Sequence, residues 1–182
     1  MKEICENIID IVNNSIRAEA NFIRIDIQEN EARDLLTLAI TDNGKGMDRV
    51  TLDTIADPFY TTKKGKKTGM GTSLLKYHAE LTGGHFFISS ESGIGTQVIA
   101  EFGLTHLDRQ PLGDMTGTLL LLITSHPEVH FRYKHTTSEG TYLLDTEEIR
   151  DALGGIALNQ REIRNILKEL ITSNLESIGI TP

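Results

Sequence analysis

The stretch LLTLAITDNGKGM, residues 35–47, runs from an apolar segment directly into a sequence that cannot continue as a strand. Leu35 to Thr41 is typical of a strand, and DNGKGM after it predicts a turn. Gly44 and Gly46 let the backbone turn tightly or approach a ligand closely. Asp42 is therefore expected at a strand end beside a turn, although ordinary turns use Asp and Gly in the same way.

The segments around this strand predict helices packed on a sheet. Apolar spacing predicts an amphipathic helix over residues 2–18. Further helices are predicted over residues 49–55 and 70–81, and strands over residues 21–28, 35–41, 85–90 and 97–102. This order predicts an α+β sandwich with its helices on one face of a mixed, mostly antiparallel sheet, closing near residue 104.

A polar break at THLDRQPLGD, residues 105–114, is expected to separate a domain of residues 1–104 from a small α+β domain of residues 115–182. The second domain is predicted from strand-like runs at residues 118–124, 129–134 and 141–144 and helices at residues 146–153 and 159–177. The two helices favour an ordinary helical hairpin over a helix-turn-helix. No motif there identifies a partner.

Composition excludes several classes of protein. The 182 residues are 38% hydrophobic and 24% charged with a net charge of −8, which is ordinary for a globular protein and unfavourable for binding nucleic acid or anionic membranes. The apolar run Leu119 to Ile123 is too short to span a bilayer, and we expect a cytoplasmic protein. The single Cys5 excludes an internal disulfide and a cysteine-only metal site.

The polar face of the first predicted helix carries residues suited to a metal. Asp10 and Asn14 are four residues apart and point the same way, with Arg17 beside them. Carboxylate and amide oxygens are hard ligands suited to Mg²⁺, which usually shares its site with phosphates. The Asp10 carboxylate could also orient an attacking water. A solvated helix face would explain the same pattern.

The segment FYTTKKGKKTGMGTSLL, residues 59–75, could be a basic linker, a nucleic-acid tether or a phosphate loop. TGMGTS ends a loop and begins a helix, an arrangement that attracts phosphate. The spacing is neither that of a Walker loop nor that of a dinucleotide-binding fingerprint. The carboxylate of Asp42 could accept a hydrogen bond from an exocyclic amino group such as that of adenine.

Taken in order, these motifs resemble the GHKL, or Bergerat-fold, ATP-binding domains of histidine kinases, mismatch-repair ATPases, type II topoisomerases and serine-kinase anti-sigma factors. The resemblance covers residues 1 to about 103. The matching segments are DIVNNSIRA (10–18), DNGKGM (42–47), DPFYTTK (57–63), TGMGTSLLK (68–76) and TGGHFFISSESGIGTQV (82–98).

The resemblance implies a Bergerat-type fold that binds ATP with Mg²⁺. Asn14 corresponds to the Mg²⁺-binding residue, Asp42 to the residue that binds the adenine amino group, and Thr96 to a residue that helps to hold Asp42 and its water. Residues 60–68 correspond to a mobile ATP lid. The other implied ATP-binding residues are Arg17, Gly44, Gly46, Met47, Phe59, Thr62, Lys63, Thr68, Gly69, Met70, Gly71, Thr72 and Ser73.

Two departures from the family pattern bear on mechanism. Asp10 stands where hydrolysing members carry Glu and histidine kinases often carry Asn. The shorter side chain leaves open whether Asp10 reaches the lytic water, because an error of about 1 Å can cost on the order of 100-fold in rate. Arg17 and FYTTK resemble the kinase-like branch, in which Arg17 and Lys63 would contact phosphates.

The sequence shows no helical hairpin with a phospho-accepting histidine, so we expect a protein that is not a self-contained two-component sensor. The main expectation is an ATP·Mg²⁺-binding regulatory protein that acts on an unidentified protein partner, with slow hydrolysis or phosphotransfer left open and Asp10 as the candidate catalytic residue. The alternative is a non-catalytic, nucleotide-gated binding module of anti-sigma-factor type that acts through its C-terminal unit. A homodimer is also left open.

Overall fold

Alternation along the strands gives the sheet one buried and one open face. Leu36, Leu38 and Ile40 are almost fully buried, while the residues between them are partly exposed. Successive side chains of a strand point to opposite faces, so helices must cover one face of the sheet. The structure, a computed structural model, describes residues 2–56 and 70–181.

The described chain begins with helix α1 and alternates between helices and strands. The helices are α1 (Ile4–Arg17), α2 (Arg49–Ala56), α3 (Met70–Leu81), α4 (Met115–Ser125), α5 (Thr146–Ala152) and α6 (Arg161–Glu176), and a short 3-10 helix covers Glu31–Arg33. The strands are β1 (Phe22–Asn30), β2 (Leu35–Asp42), β3 (Phe86–Glu91), β4 (Gly95–Gly103), β5 (His130–Thr136) and β6 (Thr141–Asp145).

The strands form one mixed sheet in the order β3-β4-β2-β1-β5-β6. Only the β1–β5 pair is parallel among the described strand pairs, and the others are antiparallel. Helices α1 and α3 pack together, and α4 contacts both α1 and α6. The α+β class, the mixed sheet and the one-sided helical layer are therefore confirmed.

The C-terminal strands extend the same sheet rather than forming a second one. Ile25 of β1 is paired with Tyr133 of β5, and Tyr133 is paired with Leu144 of β6. All three side chains belong to one hydrophobic core that runs through both halves of the chain. The two stretches expected to be separate domains thus share a sheet and a core.

The prediction of a strand at residues 118–124 is wrong, because this segment lies inside helix α4. Most of the segment is buried on several sides of the helix, as Thr118, Leu119, Leu120 and Leu122 are, so the apolar run has no periodicity that distinguishes a helix from a strand. Asp114 sets the helical start, since its carboxylate accepts a hydrogen bond from the backbone N–H of Gly117 at 2.6 Å. In residues 2–56 and 70–181, no helix has the length and apolar character needed to cross a membrane.

Asp145 joins the two C-terminal strands to helix α5. Its carboxylate lies 2.8 Å from His130 Nε2 and 2.9 Å from Arg132 Nη2, and it accepts a hydrogen bond from the backbone N–H of Glu147. Burial alone would raise the pKa of Asp145, but Arg132, Glu147 and His130 together lower that pKa below its ordinary value.

We expect Asp145→Asn to lower the free energy of unfolding by about 1–2 kcal/mol at pH 7, because it removes the charge and keeps an acceptor for Glu147. Because the pKa of Asp145 is lower in the folded state, its charge stabilises the fold fully at pH values above the unfolded pKa of about 3.9. This stabilisation is lost as the pH falls through the pKa of Asp145 in the folded protein. Urea unfolding at pH 7 and pH 3 measures the difference between the two proteins. A difference that is unchanged at pH 3 would contradict the charge-based explanation.

Candidate functional site

The candidate site lies where β2 ends, beside the hairpin of β3 and β4. Asp42 is paired with Thr96 of β4, and Thr96 is paired with Ser90 of β3. These side chains continue the buried face of the sheet, on the side that α1 covers. The sheet thus ends in a row of polar side chains next to the helical layer.

Asp42 is held on both of its carboxylate oxygens. Its Oδ2 accepts a hydrogen bond from the Ser15 hydroxyl at 2.6 Å, and its Oδ1 accepts one from the backbone N–H of Gly44 at 2.9 Å. The residue is only 9% exposed. Because an ionised carboxylate has about four acceptor positions, two fixed bonds orient the group and leave capacity for a ligand donor.

Met47 is tied to the β3–β4 hairpin through Ser90. The backbone N–H of Met47 donates to the Ser90 hydroxyl at 2.9 Å, and this hydroxyl also lies 2.9 Å from Thr96 Oγ1. The Ser90 hydroxyl is also 2.9 Å from the carbonyl oxygen of Gly95. The predicted residues Met47 and Thr96 are therefore brought together by a serine that the sequence analysis did not select.

The glycines of the turn allow backbone segments to come into contact. Gly46 has φ +60°, and a Cβ there would lie 1.9 Å from the carbonyl oxygen of Glu91. A Cβ on Gly44 would lie 2.7 Å from the carbonyl oxygen of Ala18, which accepts a hydrogen bond from Lys45 N at 2.8 Å. Only glycine fits at these approaches, so the turn is fixed between α1 and the β3–β4 hairpin.

Helix α1 presents Asp10, Asn14 and Arg17 along its polar face. Asn14 and Arg17 are exposed, and Arg17 Nη1 donates to Asn14 Oδ1 at 3.3 Å. Asp10 is half-buried against the first turn of α3, where a Cβ on Gly71 would lie 2.4 Å from its Oδ2. A carboxylate at this position is favoured by the positive end of the helix dipole.

The remaining predicted residues divide into two groups. Thr72 is buried and Ser73 is half-buried in α3, which begins at Met70 as predicted. Phe59, Thr62, Lys63, Thr68 and Gly69, with the predicted lid of residues 60–68, lie outside the described residues. The roles assigned to all of these side chains stay predictions.

Ser15 is the most important residue that the sequence analysis missed. It lies on the buried side of α1 among isoleucines and is only 3% exposed. A polar residue on an apolar face needs a hydrogen-bond partner, and this was the signal that could have identified it. Ser90 carried the same kind of signal, because alternation places it on the same face as Ile88 and Phe86, but nothing in the sequence indicated its partner.

Comparison with known proteins finds one matching family model and similar proteins that are named as sensors. The family model described as "Histidine kinase-, DNA gyrase B-, and HSP90-like ATPase" matches residues 2–106. A protein of Shewanella frigidimarina assigned as a sensor is 32% identical over 109 residues, covering 59% of this chain and 16% of that protein. The autoinducer 2 sensor kinase/phosphatase of Vibrio cholerae is 25% identical over 170 residues, covering 82% of this chain and 20% of that protein.

The fold is also similar to that of solved structures. The MutL ATPase domain of Aquifex aeolicus complexed with ADP has a TM-score of 0.50 at 12% identity, and the match covers 85% of this chain and 70% of that one. The N-terminal domain of a DNA repair protein has a TM-score of 0.54 at 18% identity, with coverage of 80% and 53%. Both matches extend beyond residues 1–104, so the likeness includes part of the C-terminal half.

The contact at Gly46 makes the turn sensitive to a single methyl group. We expect Gly46→Ala to lower the free energy of unfolding by about 3 kcal/mol, because φ is positive and the new Cβ would meet the backbone of Glu91. Gly83→Ala is the matched control, since Gly83 has φ +76° and open space around the position of a Cβ. Its expected loss is about 1 kcal/mol, from backbone strain alone. Equal losses in urea unfolding would refute the close approach at Gly46.

Proposed function

The chain belongs to the family of histidine kinase-, DNA gyrase B- and HSP90-like ATPases, and on this basis we propose that it binds ATP with Mg²⁺ at the end of β2 and regulates a protein partner. Residues 2–106 are its histidine kinase-like ATP-binding domain. The observation that supports a nucleotide pocket most directly is the fixed, almost buried carboxylate of Asp42.

In this proposal Asp42 accepts a hydrogen bond from the adenine amino group. The Ser15 hydroxyl and the Gly44 N–H hold the carboxylate before the ligand arrives. A donor on the ligand therefore meets an acceptor that is already oriented, and binding loses little side-chain entropy of Asp42. Met47 and the turn that carries it would lie beneath the base.

The polar face of α1 would hold the metal and the phosphates. Asn14 is exposed and offers an amide oxygen, and Asp10 lies one turn earlier on the same helix. This donor set fits Mg²⁺, which commonly takes one or two protein oxygens and completes its shell with water and phosphate. The bound ion would neutralise phosphate charge. Arg17 donates to Asn14 Oδ1. In this proposal Mg²⁺ takes that amide oxygen, and Arg17 turns to an oxygen of the phosphate chain.

The regulatory part of the proposal draws on the sensor protein and the sensor kinase/phosphatase that the chain resembles. The chain spans a fifth or less of the length of these two curated relatives, so their signals and partners are not carried over. We infer only the class of mechanism, in which nucleotide changes the surface offered to a protein. The residues expected to order over the nucleotide, 60–68, lie outside the described part of the chain.

The role of Asp10 decides between the two candidate functions, a catalytic protein and a nucleotide-gated binding module. Its carboxylate is placed against the first turn of α3 at Gly71, where the free N–H groups of a helix attract phosphate. A carboxylate there could orient a water or a substrate hydroxyl and accept its proton. A chain that binds ATP without turnover would instead support the module.

ATP with Mg²⁺ is expected to raise the melting temperature, and Asp42→Asn is expected to abolish most of this increase. The Oδ1 of asparagine can still accept the hydrogen bond from Gly44 N–H, so the fold is expected to be kept. Its NH₂ group would take the place of Oδ2, facing Ser15 and the amino group of the base. Because NH₂ is a donor, the acceptor for the ligand is lost. Asp26→Asn is the control, because it removes a carboxylate from β1 on the opposite face of the sheet.

Thermal unfolding over a titration of ATP with Mg²⁺ measures both effects, since a ligand that binds only the folded state stabilises it in proportion to the logarithm of its concentration. Millimolar nucleotide without any shift in the wild-type protein would refute ATP binding. If ATP raises the melting temperature of Asp42→Asn as much as that of the wild type, the role of Asp42 is refuted but ATP binding is not.

If Asp10 orients the attacking group, Asp10→Asn should leave the ATP-dependent thermal shift nearly unchanged and lower turnover by about 100-fold. Glu6→Gln is the matched control, because it removes an exposed carboxylate from α1 one turn away from Asp10. Incubation of radiolabelled ATP with the protein and a cell extract would report free phosphate, labelling of the chain and labelling of a partner. Equal turnover in wild type and Asp10→Asn would reject the catalytic role.

A further inference from the structure

A groove of about 780 Å³ lies between α4 and α6, away from the candidate nucleotide site. Thr116 and Leu120 of α4 line one side, and Arg164, Lys168 and Thr172 of α6 line the other. We call this surface the α4–α6 groove. Its volume is within the range of about 300–1,000 Å³ that is usual for binding sites.

Two cations of the α4–α6 groove have no charged partner in the described chain. Arg164 and Lys168 are both exposed, and neither forms an ion pair with an acidic side chain of residues 2–56 or 70–181. No position three or four residues from either of them in α6 is acidic, so they do not support the helix by pairing within it. This local positive charge stands out in a chain with a net charge of −8.

The remaining lining residues make the groove rich in hydrogen-bond donors. Thr116 is buried, and its hydroxyl lies 3.4 Å from the hydroxyl of Thr172. Asn165 adds an exposed amide, and Leu120 adds an apolar surface. Asp114 is the acidic residue of the lining, where its Oδ1 accepts from the backbone N–H of Gly117 at the start of α4. Against this one carboxylate stand the two cations, so the lining carries a net positive charge. The chemistry of the groove therefore matches an acceptor-rich, negatively charged ligand.

The spacing of the cations is close to that of alternate residues in an extended peptide, and their long side chains can cover the difference. Residues four apart on a helix have Cβ atoms roughly 5–6 Å apart, and alternate residues of an extended chain are about 6.6–6.8 Å apart on one face. We propose that the α4–α6 groove docks an extended segment of a protein partner that carries acidic side chains at alternate positions. The two exposed cations favour such a segment over a small anion, because a second carboxylate on the same peptide pairs intramolecularly once the first ion pair has formed.

The test uses the full chain without nucleotide, so its result does not depend on the proposed ATP site. The probe is the synthetic peptide Ser-Glu-Ser-Glu-Ser-Glu-Ser with blocked ends, titrated into ¹⁵N-labelled protein and followed by NMR. We expect saturable shifts in the amide signals of Thr116, Leu120, Asn165 and Lys168. The same peptide with Gln in place of Glu is expected to cause no such shifts.

The variant Arg164→Gln/Lys168→Gln is expected to weaken binding of the acidic peptide by about 5- to 10-fold, because two exposed ion pairs are lost. Its charge-matched control is Arg33→Gln/Lys134→Gln, which removes one arginine and one lysine that are exposed and do not line the groove. Affinity of this control within twofold of wild type would support the proposal.

Three results would overturn the proposal. Peptide shifts that map to α1 and α3 would place the acidic segment elsewhere. Equal weakening by the two double variants would show a general effect of net charge rather than a site. Inorganic phosphate that produces the same shifts at the same concentration would assign the groove to small anions.

Discussion

The hydrogen bond from the Ser15 hydroxyl to Asp42 Oδ2 joins the central helix of the helical layer to the end of a central strand. It is short, 2.6 Å, and it is buried. Without Ser15, one oxygen of a nearly buried carboxylate would lose its protein donor, which costs more than an ordinary hydrogen bond contributes. This bond sets the direction of the carboxylate. The rotation of α1 about its axis is set mainly by its buried apolar face, to which Ser15 belongs, and the positions of Asp10 and Asn14 on the polar face follow from that rotation.

The turn after β2 supplies the second half of the same constraint. Gly44 donates to Asp42 Oδ1, and Gly46 passes so close to Glu91 that no side chain fits. The carboxylate is thus held from the helix on one side and from the turn on the other. A carboxylate held in this way has the geometry of a preorganised group, because packing and neighbouring hydrogen bonds set its direction in the absence of any ligand.

The sequence predicted the parts of this arrangement that depend on local chemistry. A strand followed by DNGKGM required a turn, and the limits of α3 and β2 agreed with the apolar pattern to within a residue. The contact between Ser15 and Asp42 joins residues 27 positions apart, and no local pattern encodes it. The same holds for the parallel pairing of β1 with β5. In α4 the local signal itself was ambiguous, because a segment buried on several sides carries no periodicity.

Because β5 pairs with β1, the C-terminal half of the chain is connected to the candidate site. The backbone N–H of His130 donates to the carbonyl of Asn21, and Asn43, in the turn, accepts through its side chain from the backbone N–H groups of Asn21 and Phe22. Helix α1 provides a second connection, since it packs against α4, which in turn packs against α6. A nucleotide on the polar face of α1 and a partner segment in the α4–α6 groove would therefore act on one connected layer of helices. Any coupling between the two must be reciprocal, so that each ligand changes the affinity of the other by the same factor.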